Sequence, residues 1–250
     1  MPLRRAAPRP TRPRVRFFAT CLGDRFFADA ARDALRLLRS LGVEVDVPDG
    51  LTCCGQPAWN AGHEAEARTV ARYLGERLAG DVPVVLPSGS CAGMMRRSFP
   101  RLGAHAPPVY ELAEYVVDVL GVRRLGRGLE GVRVAYHHGC HALRELGARD
   151  QPLALLEGAG AEVVPWEAAE ECCGFGGLFA VKLPWVSAAM ADRKLDTLPS
   201  RADVLASADG GCLLQLGGRL RTRSGADGGP RVEHLATLLL RAREPEGGPW

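Results

Sequence analysis

Residues 52–60 read TCCGQPAWN and residues 171–180 read ECCGFGGLFA, two adjacent cysteine pairs each followed by glycine. Cys172 lies 119 residues after Cys53, Cys173 lies 119 after Cys54 and Cys140 lies 119 after Cys21, while Cys212 follows Cys91 by 121. All eight cysteines therefore fall into two sets of four with nearly the same internal spacing. The chain is an internal repeat.

Outward from the cysteines, each half reads as strand, cysteine and helix, three times over. In the first half VRFFAT runs into Cys21, VEVDV leads to Cys53 and Cys54, and VPVVLPSGS leads to Cys91. In the second, VRVAYHHG leads to Cys140, AEVVPW to Cys172 and Cys173, and ADVLASADGG to Cys212. Short β-branched runs bounded by glycine, proline or aspartate are expected of buried strands. Between them lie segments of helical period. In DRFFADAARDALRLLRSLG the apolar residues Phe27, Ala30, Ala31, Ala34, Leu35, Leu38 and Leu41 recur every three or four positions, and Gly42 can close the helix. EAEARTVARYLGERLAG behaves alike and ends at Gly80, and VYELAEYVVDVL and VEHLATLLLRAR also read as helices.

Strands alternating with helices imply parallel pairing through right-handed crossovers. The expected fold is α/β: two similar halves, each a small parallel sheet flanked by helices, with the cysteines at the strand carboxyl ends. Ligands of such sheets bind just beyond those ends, so the cysteine loops of a half should converge. The glycine- and arginine-rich LGVRRLGRGLEG, residues 120–131, marks the boundary. This divides the chain into a disordered basic extension (1–14), a first repeat (15–125), a second repeat (126–243) and a flexible tail (244–250).

The 250 residues are 46% hydrophobic and carry a formal charge of +3, with only Lys182 and Lys194 as lysines. That near-balance does not suggest a nucleic-acid surface, for which clustered basic residues with aromatics between them are the signature. The single basic cluster, MPLRRAAPRPTRPRVR, alternates arginine with proline and alanine and reads as solvated chain. No apolar run is long enough for a transmembrane helix, and the start lacks the apolar core of a signal peptide. The expectation is a cytoplasmic protein, where eight cysteines suit metal or redox chemistry better than disulfides. Trp185 and Trp250 are candidates for a partner surface, although single exposed aromatics are ordinary.

Four thiolates converging on one point suit an iron-sulfur cluster or a structural zinc. Zinc sites usually draw on CxxC knuckles, and none occurs here. Adjacent cysteines do not readily turn both sulfurs onto one compact ion, whereas a cluster several ångströms across offers separate irons. Gly55 and Gly174 would let backbone N–H groups approach the sulfurs. These features favour the cluster, with buried inert cysteines as the competing reading. His137, His138 and His141 surround Cys140, where histidine can ligate iron, shuttle a proton, or more commonly donate a hydrogen bond from behind. His63, His105 and His234 sit in unremarkable contexts.

At ATCLGD, TCCGQPAWN, PSGSCAGMM, YHHGCHALRELG, ECCGFGGLFAVK and DGGCLLQLGGRL the sequence resembles the cysteine-rich CCG-domain family. The similarity runs from about Val15 to Arg243. Within that family it is most similar to the lactate utilization A proteins, and more distantly to glycolate oxidase iron-sulfur subunits and heterodisulfide reductase B subunits. The resemblance implies an iron-sulfur electron-transfer subunit of a multi-protein system that oxidises L-lactate, or another 2-hydroxy acid, to the 2-oxo acid. Its implied partners are a ferredoxin-like iron-sulfur protein and a third subunit of the same operon. By the same resemblance Cys21, Cys53, Cys54 and Cys91 would hold one cluster, and Cys140, Cys172, Cys173 and Cys212 another, of the [4Fe-4S] type.

The fuller family motif ends in CxxC, and here Met94 and Gln215 stand at the last position. Four thiolates still suffice for an ordinary cluster, and one or two clusters per chain remain open. The departure counts against a heterodisulfide-reductase-like thiol/disulfide role. A non-catalytic redox sensor is the other alternative, and it would call for an output module that this chain has no room to carry. No convincing dinucleotide fingerprint is present, which suits a relay subunit of an oxidoreductase complex.

Overall fold

The computed structural model describes residues 12–225 and 229–244. Most of the expected basic extension, and the expected tail beyond Glu244 with Trp250, lie outside the described residues.

Among the described residues eight strands form two four-stranded parallel sheets, in the orders β2-β1-β3-β4 and β6-β5-β7-β8. The first contains β1 (Arg14–Phe17), β2 (Glu44–Asp46), β3 (Val84–Leu86) and β4 (Val109–Glu111). The second contains β5 (Arg133–Tyr136), β6 (Glu162–Val163), β7 (Val204–Ser207) and β8 (Arg231–His234). In each half the chain steps from the first strand to one side, then returns to the other. That reversal opens a crevice beyond the carboxyl ends of β1 and β3, and likewise of β5 and β7.

The strands are buried on both faces, as a parallel sheet requires. Val85 points one way, into a core with Val15, Phe17 and the Ala34, Leu37 and Leu38 stripe of the helix Ala28–Ser40. Val84 and Leu86 point the other way, against Ala67, Ala71 and Leu74 of the helix Glu64–Arg77. In the second sheet Leu205 and Ala135 face Ala191 and Leu195 of the helix Pro184–Asp196. Val134, Tyr136, Val204 and Ala206 turn into the same core as Val15 and Phe17, so one core joins the halves.

The join is reciprocal. The helix Leu235–Arg243 of the second half packs on Ala28–Ser40 of the first, and Leu112–Glu114 of the first packs on Asp150–Gly158 of the second. Thr237 donates to Asp33 at 2.8 Å and Gln151 donates to Asp118 at 2.7 Å across these contacts. Leu37, Leu38, Leu238 and Leu239 are fully buried, and each contributes about 1.5–3 kcal/mol by leaving water. Unfolding one half alone would expose the other's inner face.

Each half has four strands, one more than expected. The stretches read as helical, VYELAEYVVDVL and VEHLATLLLRAR, begin with β4 and end β8 before turning into helix. The strands are too short for an alternating pattern to register, and the last strand residue doubles as the helix cap. Glu111 accepts from the backbone N–H of Ala113 at 2.7 Å, and His234 Nδ1 accepts from that of Ala236 at 3.1 Å. Trp185 is 87% exposed.

Glu111 caps its helix from a fully buried position, and burial pushes its carboxyl from an ordinary 4.5 up to about 8. Between those values the folded protein holds a proton that the unfolded chain has released, so stability falls as pH rises through that window and levels off above it. Glu111→Gln removes the titration while keeping a capping oxygen. Urea unfolding of both proteins at several pH values should show the wild type losing ground to the variant, by at most about 1.4 kcal/mol per pH unit. A constant difference would contradict a buried neutral carboxyl.

Candidate functional site

Each cysteine sits where a strand hands over to a helix. Cys21 opens the helix Cys21–Phe26 four residues after β1, capped by Thr20, whose hydroxyl accepts from Gly23 N–H at 3.2 Å. Thr20 has φ 66°, the one non-glycine residue with positive φ among the described residues. Strain of this kind concentrates where loops are held for a function. Cys91 lies in the short helix Gly89–Gly93 capped by Ser88, and Cys212 lies in the first turn of Gly210–Ser224 behind Asp209. Cys53–Cys54 and Cys172–Cys173 occupy the loops after β2 and β6.

The two members of each pair turn toward different partners. Cys53 Sγ is 3.8 Å from Cys21 Sγ, and Cys54 Sγ is 3.2 Å from Cys91 Sγ. In the second half Cys173 Sγ is 3.2 Å from Cys212 Sγ, and the thiol of Cys172 acts on that of Cys140 as Cys53 does on Cys21. The backbone N–H of Gly55 reaches Cys53 Sγ at 3.4 Å, and that of Gly174 reaches Cys172 Sγ at 3.4 Å. Among the described residues all eight cysteines are free thiols.

Proton sharing sets the electrostatics. The hydrogen bond from Cys21 pulls the Cys53 thiol far below its ordinary value and pushes Cys21 up, and Cys172 and Cys140 behave in the same way. Cys54 and Cys173, buried between two other thiols, are also pushed up. Four neighbouring thiols cannot all ionise in so closed a place unless a cation compensates, and a metal centre is such a cation. The donor set therefore fits a thiolate-bound metal group.

The two sets are not remote from each other. All eight cysteines line one cavity of about 270 Å³ between the halves, walled elsewhere by apolar groups such as Phe27, Ala30, Ala31 and Phe175. Gly89 is required where the halves meet, because a Cβ there would lie 2.4 Å from the Cβ of Ala142. Beside it the buried Asp209 accepts from Ser88 Oγ at 3.1 Å, Ser90 N–H at 3.0 Å and Ser90 Oγ at 2.6 Å, a polar clasp between the halves. His141 Nδ1 pairs with Glu145 at 2.6 Å, which raises the imidazole's affinity for its proton.

The halves differ behind their sulfurs. Lys194 is fully buried, donates to the carbonyl of Ala168 and lies 4.2 Å from the centre of the Trp166 ring. Burial lowers it to about 8, against the pull of Cys173 and Cys212. Gly75 stands 119 residues earlier, so the first half has no such cation. His137 is buried beside Cys173 and Cys212, within 4.8 Å of both sulfurs. His234 and Asp209 line the cavity, although His234 reads as unremarkable in sequence. A histidine that closes a strand and caps a helix has no local signature, and neither does a lysine whose neighbours come from distant loops. At the two positions that depart from CxxC, Met94 is packed in the apolar core and Gln215 Nε2 is bonded to Ser187 Oγ at 2.8 Å.

The cysteine-rich domain (CCG) family matches residues 15–96 and 134–217, one copy in each half. The chain is 42% identical over 241 residues to lactate utilization protein A of Geobacillus kaustophilus (strain HTA426), covering 90% of this chain and 98% of that protein. It is 40% identical over 240 residues to lactate utilization protein A of Geobacillus sp. (strain WCH70), with the same coverage of 90% and 98%. Among solved structures, a hypothetical protein from Helicobacter pylori superposes with a TM-score of 0.64 at 10% identity, over 94% of this chain. The chain spans about half of that structure, 49%, and the likeness is one of fold.

Gly174 and Gly55 follow their cysteine pairs at φ 84° and 85°. Alanine costs about 1–2 kcal/mol in this left-handed region at either position. At Gly174 the added Cβ would also meet the carbonyl oxygen of Ser187 at 2.6 Å, whereas at Gly55 the nearest atom, Ala67 O, is 3.3 Å away. Thermal unfolding of the metal-free protein should therefore show Gly174→Ala melting well below Gly55→Ala. Equal losses would mean that backbone strain alone matters there.

Proposed function

The chain belongs to the cysteine-rich domain family, and from that premise we propose that it is an iron-sulfur electron-transfer subunit of a multi-protein system oxidising L-lactate to pyruvate. The observation that carries the reading is the gathering of eight thiols, in two matched sets of four, onto one cavity between the halves. The names of its relatives supply the lactate.

In this reading the repeats 15–125 and 126–243 each hold one [4Fe-4S] centre. Cys21, Cys53, Cys54 and Cys91 bind the first, and Cys140, Cys172, Cys173 and Cys212 bind the second. Such a cluster supplies one-electron transfer at a potential set by its net charge, its sulfur hydrogen bonds and its exposure. The chain's own residues do the setting. Gly55 and Gly174 aim N–H groups at Cys53 and Cys172. Lys194 keeps a positive charge near the second set, and Phe27 and Phe175 help exclude water from the space between the two. His141, paired with Glu145, holds a proton at the rim. Oxidation of a 2-hydroxy acid releases two electrons and two protons, and companion proteins, a ferredoxin-like subunit among them, would exchange the electrons. We place the protein in the cytoplasm, where its thiols stay reduced. No helix among the described residues is long and apolar enough to cross a membrane.

Iron and acid-labile sulfide measured on protein purified without oxygen test the proposal. The wild type should carry both in matching amounts. Replacing Cys53 and Cys54 with serine should remove roughly half of each, and replacing Cys172 and Cys173 the other half. Zinc in place of iron, or no metal in the anaerobic protein, would overturn it.

A further inference from the structure

The two thiol sets match residue for residue, but the side chain behind them does not. Phe18 stands 119 residues before His137, the same separation that relates Cys21 to Cys140. Phe18 is 1% exposed and packs in the core of Cys54 and Cys91. His137 is 0% exposed, so the second half has buried an imidazole where the first has a benzene ring.

The orientation of that imidazole is fixed by its neighbours. His137 Nδ1 lies 3.2 Å from the carbonyl oxygen of Ala169. A carbonyl only accepts, so Nδ1 carries the hydrogen and Nε2 is left with its lone pair. Nε2 is fully buried and has no hydrogen-bond partner. Leaving such an atom unpaired in the interior is costly. A ring nitrogen of His137 lies with Cys173 Sγ and Cys212 Sγ in a group whose donor atoms are all within 4.8 Å of one another, and with Nδ1 committed to Ala169 the nitrogen free to ligate is Nε2. Trp166 closes the ring's flank, with centroids 6.3 Å apart. A ligating histidine ordinarily donates its other N–H to a backbone carbonyl or carboxylate, which orients the ring and raises the basicity of the free nitrogen. His137 is built this way before any metal arrives.

We infer that His137 Nε2 is a metal ligand of the second site, acting with Cys173 and Cys212, and that the two halves therefore hold chemically different centres. The first set offers sulfur alone. The second also offers a neutral nitrogen, and a centre that takes it at one iron in place of a thiolate is less anionic and easier to reduce than an all-thiolate one.

The inference rests on the proposed iron-sulfur reading, and one preparation separates their failures. The intact protein, labelled with ¹⁵N-histidine and purified without oxygen, is assayed for iron and then examined by pulsed electron paramagnetic resonance after reduction. The expected result is full iron with a histidine nitrogen coupled to one of two centres. The coupling should be lost in His137→Phe, which copies the first half, and kept in His138→Gln and His141→Gln. Full iron with no histidine coupling, or a coupling that survives in His137→Phe, overturns the ligand assignment and leaves the iron-sulfur reading standing. Absence of iron overturns both. If His137→Phe does not fold, the labelled wild type with the two glutamine variants decides the matter. A coupling kept in both, and in a third variant His234→Gln that removes the other histidine lining the cavity, assigns it to His137, and one lost in any of the three assigns it elsewhere.

Discussion

Parallel strands all end at one edge, and in this protein two such edges face each other. Every cysteine loop must then open on the same space, whatever the distance in sequence between Cys21 and Cys212. The packing that holds the edges opposed comes from elsewhere. Helices are exchanged across a shared core, and Asp209 clasps Ser88 and Ser90 beside the close contact of Gly89 with Ala142. With the edges opposed, thiols that share protons within each set become a pair of donor sites separated by a small apolar cavity.

Symmetry explains the frame and asymmetry explains the sites. Sheet order, helix exchange and sulfur pairing are the same in both halves. Behind the second set, however, stand Lys194, Trp166 and His137, where the first half has Gly75, Val47 and Phe18. A buried cation is costly and must be offset by nearby negative charge or by good hydrogen bonds. Lys194 has the Ala168 carbonyl, the Trp166 face and the neighbouring thiols to offset it. In a low-dielectric interior these differences act strongly on any charge placed on the sulfurs. Two centres that are equal in cysteine count need not be equal in potential.

Much of this was legible in the sequence. The 119-residue offset and the glycine after each cysteine pair announce two halves, and the β-branched runs before the cysteines locate six of the eight strands. β4 and β8 escaped because three or four residues that end in a helix cap carry no alternation, and Leu112 and Leu235 begin helical periods at once. Leu37, outside the apolar series read from the sequence, is fully buried because helix Leu235–Arg243 of the other half covers it. The surroundings of the thiols were the least visible. His137, Lys194 and Asp209 acquire meaning only from residues 26 to 121 positions away, such as Ala168 and Ser88. No local pattern encodes such meetings.

The most direct test of a metal centre in each half is anomalous diffraction across the iron edge, from crystals grown without oxygen. The account predicts two iron peaks, one among Cys21, Cys53, Cys54 and Cys91 and one among Cys140, Cys172, Cys173 and Cys212, on opposite sides of the cavity. Iron beside neither set, or peaks that appear at the zinc edge and not at the iron edge, would contradict it.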